Sequence, residues 1–243
     1  TPPPYIPQIR LYQDWLARER GLQFADYDAL WRWSTTELDA FWQSIWDYFD
    51  LRSPTPHTAV LEKNVMPGAR WFPGAQVNYA QQVFRHVQPA HAAGFPAVIS
   101  RNEKGRHVEL GWPELRRQVA SLALHLQAQG VQAGDRVALF MHNGPHYLPL
   151  MWGVWWAGAV VVPINAKLHP REAAWIIQHS GCRVSFCDAD RSSGLQAVLA
   201  ETGASSTVFS NRGLMLGDLP LAPISPRGDD DPAWLFYTSG TTG

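Results

Sequence analysis

Residues 136–164 read RVALFMHNGPHYLPLMWGVWWAGAVVVPI, and the fold turns on how this stretch is parsed. After the turn Ala133-Gly134-Asp135, the run Val137 to Met141 is apolar without alternation, as in a strand buried on both faces of a parallel sheet. Leu148 to Ala157 suits a helix, and the β-branched Val160-Val161-Val162 begins another strand. The 18 residues from Tyr147 to Ile164 carry no charge, which reaches the lower limit for a membrane span. Pro149, Gly153, Gly158 and Pro163 interrupt them, however, and their character changes midway. Buried helix, tight turn and buried strand is the better parse. The unit is β-α-β, and its crossover is expected to be right-handed.

The same alternation extends in both directions. Downstream come a helix from Pro170 to His179, the strand RVSFC, a helix near Gly194 to Glu201, and a further strand TVFS. Upstream, Trp112-Pro113-Glu114 opens a helix with proline in its first turn. Its inner face is Leu115, Val119, Leu122 and Leu126, and Gly130 closes it. Before it, AVIS and HVEL flank Asn102 to Gly105 as a hairpin. The expected class is α/β: a mostly parallel, doubly wound sheet with helices on both faces. Ser225 to Pro232, SPRGDDDP, reads as a polar linker to one more strand.

Residues 1–86 have a different texture and read as a helical and irregular N-terminal extension, with the α/β part running over 87–243. The lead-in TPPPYIP has no periodic pattern, and Ile9 to Arg20 can form a short amphipathic helix ended by Gly21. Ser34-Thr35-Thr36-Glu37 has the form of a capping box, predicting a helix from Ser34 with Leu38, Phe41, Trp42, Ile45 and Phe49 on one face. Pro54 and Pro56 stop it, and Met66 to Ala80 is a loop rich in glycine and proline whose end, NYA, enters a helix.

The composition is that of a globular protein: 243 residues, 46% hydrophobic and 17% charged. A formal net charge of −1 offers no electrostatic case for binding nucleic acid or an anionic membrane. Cys182 and Cys187 form neither a disulfide framework nor a zinc pattern, and a reducing cytoplasm is the simple expectation. Nothing in the sequence addresses oligomeric state.

The last ten residues, Trp234 to Gly243, read WLFYTSGTTG, an apolar strand-like run opening into a loop of small and hydroxylic residues. Such a backbone can curl into a nest of N–H donors that binds phosphate. The spacing is not that of a Walker A loop. A bland turn is the alternative reading. The string YTSGTTG resembles the phosphate-binding loop of the adenylate-forming acyl-CoA synthetase superfamily, and Trp112 to Ile177 resembles the early part of the large domain of fatty-acyl-CoA ligases. FWQSIWDYF (Phe41 to Phe49) and PGARWFPGAQVNYA (Pro67 to Ala80) are similar to the N-terminal extension of acetyl-CoA and acetoacetyl-CoA synthetases, the latter more closely.

The resemblance implies an ATP-dependent carboxylic acid–CoA ligase that forms an acyl-adenylate and then a thioester. The acid is acetoacetate, another short acid or a fatty acid; the partners are that acid, ATP and CoA, with Mg²⁺ as cofactor. It implies that Thr238, Ser239, Gly240, Thr241, Thr242 and Gly243 grip the ATP phosphates and that Thr238 faces Mg²⁺. No catalytic residue is assigned, because the family's lysines, its Gly-x-Thr-Glu motif and its ribose-binding aspartate fall beyond Gly243. The chain therefore reads as the truncated N-terminal part of a larger adenylation domain, unable to complete either half-reaction. Two other readings stand beside it: a non-enzymatic scaffold, or an adenylation domain that loads a carrier-protein thiol.

The remaining candidates are weaker. His142, His146, His169 and His179 lie at loops and helix ends without partnered carboxylates and read as surface or packing residues. Asp229-Asp230-Asp231 reads as a solvated linker, since consecutive acids cannot all face one ion. Trp71 and Phe72 read as packing of the extension onto the sheet domain, and both cysteines as packing thiols. Asn165 to Lys167 follow a strand's carboxyl end, where ligands bind in such sheets, although a plain connection is the simpler reading.

Overall fold

A computed structural model describes residues 6–211, 222–228 and 230–238, which fall into two compact units, residues 1–77 and 78–243. In the first unit, α1 (Gln8–Arg20) buries Tyr12 and Leu16 and ends where Gly21 turns left-handed at φ 67°. The Asp26 carboxylate accepts the Ala29 N–H at 2.8 Å and so caps α2 (Tyr27–Thr36). Glu37 breaks the chain before α3 (Leu38–Tyr48). The capping box expected at Ser34 is thus corrected, because Ser34, Thr35 and Thr36 form the last turn of α2. Their hydroxyls donate backwards to the carbonyls of Trp31 and Arg32 at 2.8–3.1 Å. Hydroxylic residues can serve either end of a helix, and here the carbonyl end claims them.

Tyr12, Leu16 and Leu30 centre a small aromatic core with Trp15, Trp33, Phe41, Ile45 and Tyr48. Of the expected α3 face, Phe41 and Ile45 point into it, while Trp42 and Phe49 stay exposed. β1 (Leu61–Lys63) and β2 (Arg70–Trp71) pair antiparallel. Trp71 and Phe72 find partners inside the extension itself, at ring distances of 5.6 Å to Trp42 and 4.8 Å to Trp46.

The second unit opens at Asn78, whose side chain accepts the Gln81 N–H at 3.1 Å and caps α4 (Tyr79–Phe84). With α5 (Val87–Ala92) it delivers Ala80, Phe84 and Val87 to the sheet unit's core, so the compact unit begins before the change in sequence texture at 86/87. The hairpin forms as expected: β3 (Val98–Arg101) pairs with β4 (His107–Leu110), and the Asn102 side chain accepts the N–H groups of Lys104 and Arg106 at 3.1 and 2.9 Å.

Then follow α6 (Trp112–Ala128), β5 (Arg136–Phe140), α7 (Tyr147–Trp156), β6 (Val160–Ile164), α8 (Pro170–Ser180), β7 (Cys182–Cys187), α9 (Ser192–Thr202) and β8 (Thr207–Ser210). The four strands form one parallel sheet in the order β6-β5-β7-β8. Val137, Leu139, Val161 and Phe186 face one core, shared with α6 and α7. Ala138, Phe140, Val162 and Ile164 face the other, shared with α8 and α9. This is the doubly wound architecture, with each strand apolar on both faces because each face is covered. No described helix is long and apolar enough to cross a membrane.

The closing apolar run departs from expectation. It joins β6 through a single parallel bridge, Val161 to Trp234, and Phe236 remains 63% exposed. No described strand pairs with its outer edge.

Candidate functional site

In a parallel sheet every strand delivers its following loop to the same edge. The loops after β5, β6, β7 and β8 therefore begin side by side with Met141, Asn165, Asp188 and Asn211. Because the Trp234 bridge is parallel to β6, residues 234–238 run toward this edge as well. Thr238, at the end of that run, is thus brought to the carboxyl edge of the sheet. Ser239, Gly240, Thr241, Thr242 and Gly243 lie outside the described residues.

The run is held by alternation. Trp234 turns to the α7 side, its ring 4.8 Å from Trp155, while Leu235 and Tyr237 turn to the α8 side. The Ala233 carbonyl accepts both the Val161 N–H at 3.0 Å and the Trp155 indole N–H at 2.9 Å. The Tyr237 hydroxyl lies 2.7 Å from His179 Nδ1, and burial raises its phenol above the ordinary value.

A second feature lies at the topological switch point. From β5 the chain crosses to β6 on one side and returns past β5 to β7 on the other, so the loops after β5 and β7 splay apart. Between them, beside the β3–β4 hairpin, is an open cleft of about 760 Å³ lined by Arg101, Arg106, His142, His146, Asp188 and Asp190 among others. Asp188 is its anchor. Its carboxylate accepts the His142 backbone N–H at 2.9 Å and the Asn211 amide at 2.7 Å, and its Oδ2 lies 2.6 Å from His142 Nδ1. Burial pushes this carboxyl upward, but the His142 backbone and ring and the Asn211 amide outweigh it, and the net shift is downward.

His142 was expected to lack a carboxylate partner; the structure corrects this with Asp188. The other histidines have structural duties or none assigned. His169 forms a capping box with Glu172 at the start of α8, and His179 stacks on Trp175 at 4.8 Å. The Asn165 side chain accepts the Lys167 N–H at 3.0 Å in a tight turn that leaves both residues exposed. Asp231 accepts the Gly228 N–H and pairs with Arg227 at 3.3 Å. Both cysteines are buried, and burial pushes the Cys182 thiol up to about 11. Asp188 and Asn211 escaped the sequence reading. Their signal was positional, since each is the first residue beyond the carboxyl end of a strand.

Residues 84–243 match the family model described as AMP-binding enzyme, and residues 27–83 match that of the acetyl-coenzyme A synthetase N-terminus. The chain belongs to the AMP-binding enzyme family. The resemblance to adenylate-forming acyl-CoA synthetases read from YTSGTTG is borne out. The chain is 37% identical over 147 residues to acetoacetyl-coenzyme A synthetase of Rhizobium meliloti (strain 1021), covering 60% of the present chain and 22% of that protein. It is 29% identical to the malonamoyl-CoA synthetase vrtB of Penicillium aethiopicum, over 93% of the present chain and 36% of that one. Among solved structures, acetoacetyl-CoA synthetase from Streptomyces lividans superposes with a TM-score of 0.79 at 31% identity, covering 97% of this chain and 40% of that one. The inhibitor-bound N-terminal domain of FACL13 from Mycobacterium tuberculosis gives 0.56 at 29% identity, with coverages of 68% and 42%. The chain thus spans 22% of the Rhizobium relative and 40% of the Streptomyces one.

Proposed function

We propose that the chain is the ATP-gripping portion of an ATP-dependent acid–CoA ligase whose acid is acetoacetate. The observation that carries this reading is the likeness to acetoacetyl-CoA synthetase across nearly the whole chain, extension included. A carboxylate cannot donate its acyl group directly, because the leaving group would be oxide. In the proposed reaction a carboxylate oxygen attacks the α-phosphorus of ATP and pyrophosphate leaves. The CoA thiol then attacks the mixed anhydride, loses its proton, and AMP departs. What this chain supplies is the grip on the leaving group. In this reading the backbone N–H groups and hydroxyls of Thr238 to Gly243 are the donors for the β- and γ-phosphates, and glycine at 240 and 243 would allow close approach. The Thr238 hydroxyl is a hard, neutral oxygen at the carboxyl edge of the sheet, a donor of the kind that would hold Mg²⁺. Bound there, Mg²⁺ would neutralise phosphate charge.

The test is pyrophosphate release by the full-length protein with acetate, acetoacetate, octanoate, palmitate and benzoate. Acetoacetate is expected to give the highest kcat/KM, and Thr241→Ala or Gly240→Val to raise the KM for ATP at least ten-fold. Release that does not depend on any acid, or loop variants indistinguishable from wild type, would sink the reading. A preference for octanoate or palmitate would leave the ligase in place and replace the acid.

A further inference from the structure

The run that leads into the hydroxylic loop lacks the backbone support that a sheet strand normally has. Val161 donates its N–H to Ala233 and accepts the Leu235 N–H at 2.9 Å, the pattern of one rung in a parallel ladder. The next rung on β6 falls two residues on, at Pro163, because Val160, whose N–H reaches Asp135, and Val162 are turned toward β5. Pro163 has no N–H, so the Leu235 carbonyl gets no donor from β6, and among the described residues the pairing ends at Leu235. Phe236 and Tyr237, which lead into the loop, follow this last rung.

A side-chain clasp takes its place. Tyr237 turns toward the last turn of α8, and its hydroxyl oxygen lies 2.7 Å from His179 Nδ1. Its ring stands edge-on to His179 at 5.7 Å and to Trp175 at 6.0 Å. Trp175 and His179, one helical turn apart, stack on each other with planes 17° apart, so the imidazole is oriented before it meets the phenol. The helix carrying them is anchored: Ala173, Ala174, Ile176 and Ile177 are buried in the core beneath the sheet.

We infer that His179 and Tyr237 are positioning residues: their hydrogen bond, in place of the rung that Pro163 deletes, fixes the strand end from which the phosphate loop springs. The inference rests on the ligase reading for what the loop binds, but the clasp itself is independent of that reading.

The test uses Tyr237→Phe, His179→Ala, Pro163→Ala and the double variant Pro163→Ala/Tyr237→Phe in the full-length protein. The readouts are amide hydrogen exchange at residues 236–238 without nucleotide, and the KM for ATP and kcat with it. Removing one hydrogen bond should raise KM about five-fold with kcat within about two-fold, and should speed exchange by a similar factor. Pro163→Ala restores the missing donor and is expected to return both quantities toward wild type in the double variant. A purely structural defect would not be rescued by a backbone donor across the strand. Unchanged exchange and KM in Tyr237→Phe and His179→Ala, or failure of the rescue, overturns the proposal. If the wild type shows no acid-dependent pyrophosphate release, the ligase reading falls and the exchange arm alone decides the clasp.

Discussion

Replacing Gly153 by alanine tests whether α6 and α7 meet as closely as the structure requires. A Cβ at this position would lie 2.4 Å from Leu122 Cδ2 and 2.8 Å from its Cβ and Cγ. Ordinary carbon contacts are about 3.5–4.0 Å, so the overlap is about 1 Å. Leu122 is 2% exposed, enclosed in the core shared with the sheet. Two effects oppose each other. Alanine is preferred over glycine inside a helix by about 1 kcal/mol, whereas forcing a methyl into a closed core costs about 1–3 kcal/mol. With an overlap this large the core term wins, and a net loss of about 1–2 kcal/mol is expected, or several degrees in Tm. Urea unfolding read by thiol labelling isolates the second unit, because both cysteines lie in β7. Combining the change with Leu122→Ala should cost less than the sum of the two single changes by about 1 kcal/mol or more. If Gly153→Ala instead stabilises by about 1 kcal/mol, as at an open helical site, or adds without coupling to Leu122→Ala, the close approach of the two helices is refuted.

Asp188→Asn should destabilise by about 2 kcal/mol, since it removes a carboxylate that accepts from His142 and Asn211. Because the folded carboxyl lies below its ordinary value of 3.8, its contribution is complete above that value and is lost as pH falls through the folded pKa. Urea midpoints of wild type and variant should therefore be fully separated above the ordinary value of 3.8 and converge as pH falls below it; a constant difference from acid to neutral would contradict the assignment. Both thiols should resist a disulfide reagent at pH 8 in the folded protein and react on denaturation, because burial raises both and pushes Cys182 up to about 11. Rapid labelling of the native chain would show that β7 is not enclosed as described.

The sequence by itself determined the periodic features. Unbroken apolar runs at Val137 to Met141 and Val160 to Ile164 mean strands covered on two faces, which requires helices on both sides and a parallel sheet. The string YTSGTTG carried the family resemblance that the AMP-binding enzyme model bears out. Ser34-Thr35-Thr36 misled because a hydroxyl beside a helix end does not declare which end it serves. The tertiary structure alone decided who neighbours whom. The order β6-β5-β7-β8 makes β5 the switch point and brings Asp188 to His142, 46 residues earlier, and to Asn211, 23 later. It also sets the closing run beside β6 in the one register where Pro163 faces it, so that Tyr237 must reach α8 for its hold. Pattern encodes which faces are buried, and that is a local property. The choice of partner strand depends on how the crossovers pack, and no window of sequence contains it.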